Sequence, residues 1–457
     1  MENFIHITDN CIRGLEIENE EDVRNLSSIV GKNISQLAYE ENLLIFPHSL
    51  GLYGDRLGNQ TIGSLQIHDG KAFLYTGNIM GFIGRGRTHL RISSRFDKES
   101  PNDNFLMYML CQVMNINLFN LNYSCSNNPT FDILIYLFPY YLDNALQKGL
   151  YKEYKVCSYN DSNVKGAIDI NQHIKLNALK PYRIAYHTRE YTCDNALTKL
   201  IRYTIEYILH HPNGKHLLQR SESLRENISQ IIQATPSYSA QDKQHIISQN
   251  LRPKIHPYYA EYYPLQRLCL QILRQDNLSI GQSESEISGV LFDGAWLWEE
   301  YLNTVLKPLG FYHPRNNRRT GRITLFNDGQ GARYPDFYHK ETNMVLDAKY
   351  KRYEDKTQVS SIGRDDLHQI ITYMHILQSV YGGVVFPSNE IHDIIEAELE
   401  GYGGKFILFP FYLEGVNSRN LKTNRSLSVA CSWRAFIKQM KKNEKIFKKL
   451  ILTYISK

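Results

Sequence analysis

Two short stretches decide the reading of this chain: Tyr334-Pro335-Asp336-Phe337 and Met344-Val345-Leu346-Asp347-Ala348-Lys349-Tyr350. Asp347 follows Asp336 by eleven residues. The second stretch alternates as a strand does. Met344, Leu346 and Ala348 share one face, and Val345, Asp347 and Lys349 share the other. Asp347 and Lys349 therefore project side by side. The polar turn His339–Asn343 folds the strand back beside Asp336. The expected product is two carboxylates and one ammonium at a single point. That trio has a chemical use. Two hard oxygen ligands hold Mg2+ while leaving positions for water and a phosphate oxygen. A metal so held lowers the pKa of bound water and neutralises charge in the transition state of phosphodiester hydrolysis. The lysine positions the attacking water and stabilises the same charge. Lying between two carboxylates, it also keeps both ionised.

The flanking segments extend the pattern. Leu291–Leu306 reads as an amphipathic helix with Leu291, Trp298, Tyr301, Leu302 and Val305 on one face. At about 100° per residue, Glu299 flanks that face while Glu300 points into solvent. Glu299 is thus the better extra metal ligand or ligand orienter. Downstream, Asp365–Val380 reads as a helix with Gln369 and Tyr373 one turn apart, placed to orient a phosphate or water. Gly383–Phe386 follows as a strand.

Upstream, residues 1–100 read as a β-rich domain. Leu43–Phe46 is a strand stopped by Pro47. Ser64–Ile67 and Ala72–Tyr75 flank Asp69-Gly70, a strong hairpin signal. A second hairpin spans Phe82–Ile92 around Gly84-Arg85-Gly86. No helix follows that Gly-x-Gly, so it is no dinucleotide site. Arg85, Arg87, Arg91 and Arg95 read either as charge protecting an edge strand or as a contact surface for protein or nucleic acid. Residues 101–285 read as mostly helical, with one extended stretch at Val164–Ile170, a helix opened by Asp194-Asn195, and further helices in Ser221–Lys243 and around Pro264–Gln275. Pro253 and Pro257 interrupt this region. Gly281–Ser288 is the expected boundary before a final domain, residues 286–457.

Composition excludes several classes. The 457 residues are 42% hydrophobic and 22% charged, which fits a globular chain of several domains. Seven cysteines, none in a CxxC pair, argue against a disulfide framework, a zinc ribbon or a cysteine-held iron–sulfur cluster. The N-terminus lacks a secretory pattern. The most apolar run, Ile133–Leu142, is interrupted by Pro139 and is too short to span a membrane. A cytoplasmic protein is expected. There is no Walker-type phosphate loop, so the chain is expected to bind no nucleotide. The net charge of +5 is unevenly placed: residues 434–457 hold eight Lys/Arg and one Glu, a net of +7, which leaves the other 433 residues at −2. Apolar residues at helical spacing in that tail predict a helix with one face docked and one basic face in water.

The order acidic helix, Pro-Asp strand, Asp-x-Lys strand and Gln-x-x-x-Tyr helix resembles the PD-(D/E)xK nuclease core. These elements are Glu299, Pro335-Asp336, Asp347-x-Lys349 and Gln369-x-x-x-Tyr373. The likeness narrows further. Leu297-Trp298-Glu299-Glu300-Tyr301 and Val345-Leu346-Asp347-Ala348-Lys349-Tyr350-Lys351 resemble signatures of the McrC family, the nuclease subunit of McrBC-type modification-dependent restriction systems. Val164-Lys165-Gly166-Ala167-Ile168-Asp169-Ile170, with His173 and Asn177, and Tyr191-Thr192-Cys193-Asp194-Asn195 are similar to two upstream blocks of that family. The resemblance covers about residues 80–390. Lys165 stands where the family frequently has arginine. The first 40 residues and the basic tail fall outside it.

The resemblance implies a fold, an activity and a partner. The fold is a C-terminal α/β restriction-endonuclease-like core, a mixed sheet flanked by helices, preceded by the β-rich domain and the helical middle region. The activity is Mg2+-dependent cleavage of double-stranded DNA, with Mn2+ as a substitute. Its catalytic residues are Asp336, Asp347, Lys349, Glu299, Gln369 and Tyr373, of which Asp336, Asp347 and Glu299 bind metal. The partner is an McrB-like AAA+ GTPase hexamer that recognises modified cytosine, while the N-terminal part of this chain docks on the ring and stimulates it. Two other readings share the motif: a standalone repair or recombination nuclease, and a non-catalytic adaptor of such a ring. The intact Asp336, Asp347 and Lys349 disfavour the last.

Overall fold

Val345–Ala348 lies inside a six-stranded mixed sheet, ordered Phe311–Tyr312, Phe337–His339, Val345–Ala348, Tyr381–Ser388, Lys405–Tyr412 and Ile395–Glu398. Phe337–His339 and Val345–Ala348 pair antiparallel, with Phe337 opposite Leu346. Asn343, at φ 55°, occupies the turn between them, a left-handed position that asparagine tolerates better than most residues. The next two strands run parallel to Val345–Ala348. A parallel neighbour needs a crossover, and the helix Arg364–Leu377 supplies it. Val345, Val384, Phe406, Leu408, Ile370 and Met374 form the core between helix and sheet.

The structure, a computed structural model, describes the chain except residues 1–2, 41, 48–58, 98–102, 115–128, 180–181, 212–213, 252–255, 276–286, 315–319, 354–358, 360–361, 391–393, 402, 414–428 and 457. Pro253 and most of residues 281–288 therefore lie outside the described residues. The chain divides into two compact units, residues 1–130 with 283–457, and residues 131–282.

In the first unit, Asn42–Phe46 is a strand, and Gly63–His68 and Lys71–Thr76 form the hairpin around Asp69-Gly70. Both turn residues have positive φ, 51° and 77°, as a tight hairpin turn requires. The second hairpin pairs Ile79–Arg85 with Thr88–Ser93. Two expectations change here. The segment Leu291–Asp293 is not helical: Ile287–Asp293 is a strand, antiparallel to Ile79–Arg85 and parallel to Asn42–Phe46. Asp293 then caps the helix Gly294–Leu306 by accepting from the Ala295 N–H at 2.8 Å. A strand buried on both faces and running directly into a helix reads as one apolar segment. Second, residues 1–100 and the segment after 286 share one sheet rather than forming separate bodies. Close approach makes this possible. A Cβ on Gly81 would lie 2.2 Å from the Val290 carbonyl oxygen, and one on Gly289 would lie 2.2 Å from that of Phe82. The basic tail is the helix Val429–Ile455, with Trp433, Ile437, Met440, Phe447, Ile451 and Tyr454 buried.

The second unit is helical but holds a three-stranded antiparallel sheet that the sequence did not lead us to expect. Glu153–Asp161 pairs with Ile184–Thr192, which also pairs with Ala167–Ile168. The extended stretch expected at Val164–Ile170 shrinks to those two residues, because Asp169 caps the helix Ile170–Asn177. The two longer strands carry exposed tyrosines and charges and bury few residues, so no apolar alternation marks them. Asn195 caps Ala196–His210, accepting from the Thr198 N–H at 3.0 Å. Pro139 sits within the helix Pro129–Leu146 instead of ending it.

Candidate active site

The hairpin brings Asp336 to the end of the Asp347 strand. Asp336 Oδ2 accepts from the Ala348 N–H at 2.8 Å. The side chain of Asp347 is fully buried, and Lys349 Nζ lies 2.7 Å from its Oδ2. That approach is an ion pair without hydrogen-bond alignment, and both Asp347 carboxylate oxygens are buried without a hydrogen-bond partner among the described residues. Lys349 Nζ donates to Gln369 Oε1 at 3.0 Å, and Gln369 Nε2 donates to the Tyr373 hydroxyl at 3.2 Å. The backbone N–H of Lys349 donates to Val385 O at 2.9 Å, which fixes the lysine against the neighbouring strand.

Glu299 reaches the same place from the helix Gly294–Leu306. An open cleft of about 390 Å³ is lined by Glu299, Asp336, Tyr373, Arg333, Tyr334 and Pro335, among others. Glu300 does not point into solvent as expected, for its side chain is only 13% exposed. His313 accounts for this: its Nε2 lies 3.6 Å from Glu299 and 3.8 Å from Glu300. Its Nδ1 stands 2.7 Å from the carbonyl oxygen of Asp336, and its ring stacks on Phe337.

The electrostatics are those of crowded anions. Burial, then Asp347 and Glu299, push the Asp336 carboxyl well above the usual range. Burial also raises Asp347, opposed by Lys349. Burial works to lower Lys349, but Asp347, Asp336 and Asp366 outweigh it, and its pKa is raised. Burial likewise opposes the charge on His313, and Glu300, the Asp336 carbonyl and Glu299 overcome it. Two buried carboxylates that repel each other, one of them with an Oδ1 that has no hydrogen-bond partner among the described residues, suit a divalent cation with oxygen ligands. Among the described residues no group of three His, Cys, Asp or Glu side chains is placed to hold a metal ion, so Glu299 does not join Asp336 and Asp347 in a formed three-ligand set. A cation here would therefore keep water in its shell, as Mg2+ commonly does.

The sequence reading missed two groups. Asp366, in the first turn of Arg364–Leu377, accepts from Lys351 Nζ at 2.7 Å and from the Tyr353 hydroxyl at 2.7 Å, and lies 3.6 Å from Lys349 Nζ. Burial works to raise its pKa, and Lys351, Tyr353 and Lys349 bring it below the ordinary value. A signal existed, because Lys351 continues the alternation of Asp347 and Lys349. His313 had none: a lone histidine in a loop carries no pattern.

The arginine cluster does not form one surface. Arg95 is buried. Its Nε and Nη2 donate to Asp9 Oδ2 at 2.9 and 2.6 Å, and its guanidinium lies 5.0 Å from the Tyr350 ring centre. Arg87 is exposed, and Arg85 and Arg91 are half-buried.

No curated protein matches the sequence. Among solved structures, McrC bound to McrB AAA+ hexamers of Thermococcus gammatolerans, in a half-complex of a tetradecameric assembly, is 15% identical with a TM-score of 0.47 and covers 95% of this chain and 99% of that one. A chain of the Thermococcus gammatolerans McrBC complex is 13% identical with a TM-score of 0.33, covering 67% of this chain and 87% of that one. The family described as McrBC 5-methylcytosine restriction system component matches residues 74–387, more than half of the sequence, and the chain belongs to that family.

Proposed function

We propose that this chain is the endonuclease subunit of a nucleotide-driven restriction complex that cleaves double-stranded DNA carrying modified cytosine, 5-methylcytosine above all. The observation that carries the proposal is the convergence of Asp336, Asp347, Lys349 and Gln369 at one end of a parallel–antiparallel sheet, with Glu299 lining a cleft beside Asp336. The arrangement supports a PD-(D/E)xK core within the mixed α/β fold. Family membership supports the biological setting.

Asp336 and Asp347 are the residues to hold Mg2+, with Glu299 as a further ligand or orienter. Bound there, the metal supplies a lowered pKa for water and positive charge for the phosphoryl oxygens. The remaining work falls to the chain. Lys349, held between Asp347 and Gln369, aims its ammonium at the attacking water and the charge that develops on phosphate. Gln369 holds the lysine, and Tyr373, which accepts from Gln369 Nε2, lines the cleft by which the scissile phosphate approaches. Burial and mutual repulsion disfavour the charged forms of Asp336 and Asp347, and a bound cation favours them.

The partner is an McrB-like AAA+ GTPase hexamer, on which the N-terminal part of this chain docks. Among the described residues no helix is long and apolar enough to cross a membrane, and the working location is the cytoplasm. The test is cleavage of methylated and unmodified plasmid with Mg2+, with and without the ring protein and GTP, using wild type and Asp347→Ala. Cutting of the methylated plasmid by the complete wild-type system alone is the expected result. Equal cutting by Asp347→Ala removes the site assignment. Cutting that ignores methylation and partner favours a standalone nuclease instead.

A further inference from the structure

We infer that the C-terminal helix, Val429–Ile455, is a rail for the sugar-phosphate backbone of duplex DNA; the inference rests on the nuclease reading and names the surface that holds its substrate. Arg434, Lys438, Lys442, Lys445 and Lys449 are all exposed. At about 100° per residue they fall within an arc of about 80°, opposite the buried face of Trp433, Ile437, Met440, Phe447, Ile451 and Tyr454. None of the five forms an ion pair among the described residues. Of the acids in the tail, only Glu444 is present, and it turns inward.

Glu444 ties the helix that bears the stripe to the helix that bears Glu299. Its Oε1 accepts from the hydroxyls of Tyr108 at 2.8 Å and Tyr301 at 2.9 Å. Tyr301 lies on the helix that carries Glu299. Asn443 Nδ2 donates to the Tyr412 carbonyl at 2.8 Å, on the central sheet. A helix held only for core packing has no need of five cations in register on its wet side.

Charge and spacing choose the occupant. The five cations extend over about 22 Å, and one DNA strand offers a phosphate about every 3.4 Å along its axis. The stripe therefore faces about six phosphates of one strand. A protein partner would be expected to meet aromatic anchors at the centre of its interface, and the stripe contains none. Backbone contacts position a duplex without reading its sequence. Recognition of the modified base then lies elsewhere in the complex, and the helix holds whatever duplex is delivered.

The test measures duplex binding by the full chain in EDTA, where no cutting interferes, across a range of salt. The probes are one methylated and one unmodified duplex of the same sequence. Converting all five cations to Gln is expected to flatten the slope of log affinity against log salt by about 0.9 per lost contact, up to about 4.5. The fall should be equal for both duplexes. Lys442→Gln with Lys445→Gln, a milder change, should remove about 1.8. Changing the four lysines to Arg should leave the slope intact. A slope in the five-fold variant within one contact of wild type overturns the inference, as does absence of wild-type binding at low salt. Loss of AAA+ partner binding with an unchanged DNA slope also overturns it and assigns the helix to protein. If the slope falls but the assembled wild-type system cuts no DNA, the nuclease reading fails and the rail stands. If it cuts and the slope does not move, the reverse holds.

Discussion

His313 Nδ1 stands 2.7 Å from the main-chain oxygen of Asp336. A carbonyl only accepts, so that nitrogen carries a proton and the ring orientation is set. The other nitrogen then faces Glu299 at 3.6 Å. One buried ring thus ties the loop bearing Asp336 to the helix bearing Glu299. Groups that orient ligands typically change metal affinity or activity by about 10–100-fold when removed. His313→Ala should raise the Mg2+ concentration for half-maximal cleavage within that range, with a smaller change at saturating metal. His313→Asn, which keeps an amide donor near the Asp336 carbonyl, should recover part of the loss. A Mg2+ titration of both variants checks this; unchanged half-saturation in His313→Ala would contradict it.

Asp336→Asn should make the metal-free protein more stable while abolishing cleavage. Burial and the neighbouring Asp347 and Glu299 carboxylates hold Asp336 well above the ordinary carboxyl range. The folded state then binds more protons than the unfolded one in the window above the unfolded value of about 4. Stability falls as pH rises through that window, up to the folded pKa. Asp347 is shifted in the same direction. Asparagine has no charge to bury and keeps an oxygen to accept from Ala348. Thermal melts in EDTA should show a higher midpoint for Asp336→Asn at alkaline than at acidic pH, relative to wild type. Adding Mg2+ should raise the wild-type midpoint and leave that of the variant nearly still. A lower midpoint for the variant in EDTA at alkaline pH contradicts the account.

Local chemistry made much of this site readable. Strand alternation put Asp347 and Lys349 on one face, where Lys349 Nζ lies 2.7 Å from Asp347. Helical spacing put Gln369 and Tyr373 in hydrogen-bond reach. Asp69-Gly70 and Asn195 marked a turn and a cap by their own side-chain and backbone preferences. What escaped depends on distant partners. Ile287–Asp293 is a strand because Ile79–Arg85 and Asn42–Phe46 offer it two edges, far back in the sequence. Its apolar residues continue into the following helix, so periodicity alone merged the two. Asp9, which holds Arg95 inside the fold, stands 86 positions away. His313 gains its role only when the Asp336 loop folds over it.

Arg95 should behave as a core residue and not as part of a docking surface. Its guanidinium and backbone N–H both bind Asp9, whose side chain is fully buried. Breaking such a pair from one side costs about 3–5 kcal/mol. Arg95→Ala should lose about that much unfolding free energy in denaturant titration. Arg87→Ala, at an exposed position, should stay within about 0.5 kcal/mol of wild type. Any loss of partner binding in Arg95→Ala then follows its loss of fold, whereas Arg87→Ala reports on docking itself. A fully stable Arg95→Ala protein would return Arg95 to the surface reading.

Lys349 should be the hinge of the catalytic arrangement, and Gln369 its support. The ammonium is held by Asp347 at 2.7 Å and Gln369 at 3.0 Å, with Asp366 at 3.6 Å. Lys349→Ala removes the cation that meets the developing charge and should abolish measurable cleavage with protein and partner intact. Gln369→Ala leaves the lysine and its ion pair but frees its aim, so a partial loss of about 10–100-fold is expected, comparable to loss of a residue that orients a ligand. Because both changes act on one nitrogen, the double variant should be no worse than Lys349→Ala alone. Asp366→Asn offers a second handle. It keeps a group to meet the Tyr353 hydroxyl but weakens the hold on Lys349 and Lys351, and should fall between the two single losses. Single-turnover cleavage at saturating Mg2+ measures all four. Additive losses for Lys349→Ala and Gln369→Ala would mean that glutamine acts independently on the substrate, and full activity in Lys349→Ala would remove lysine from the chemistry altogether.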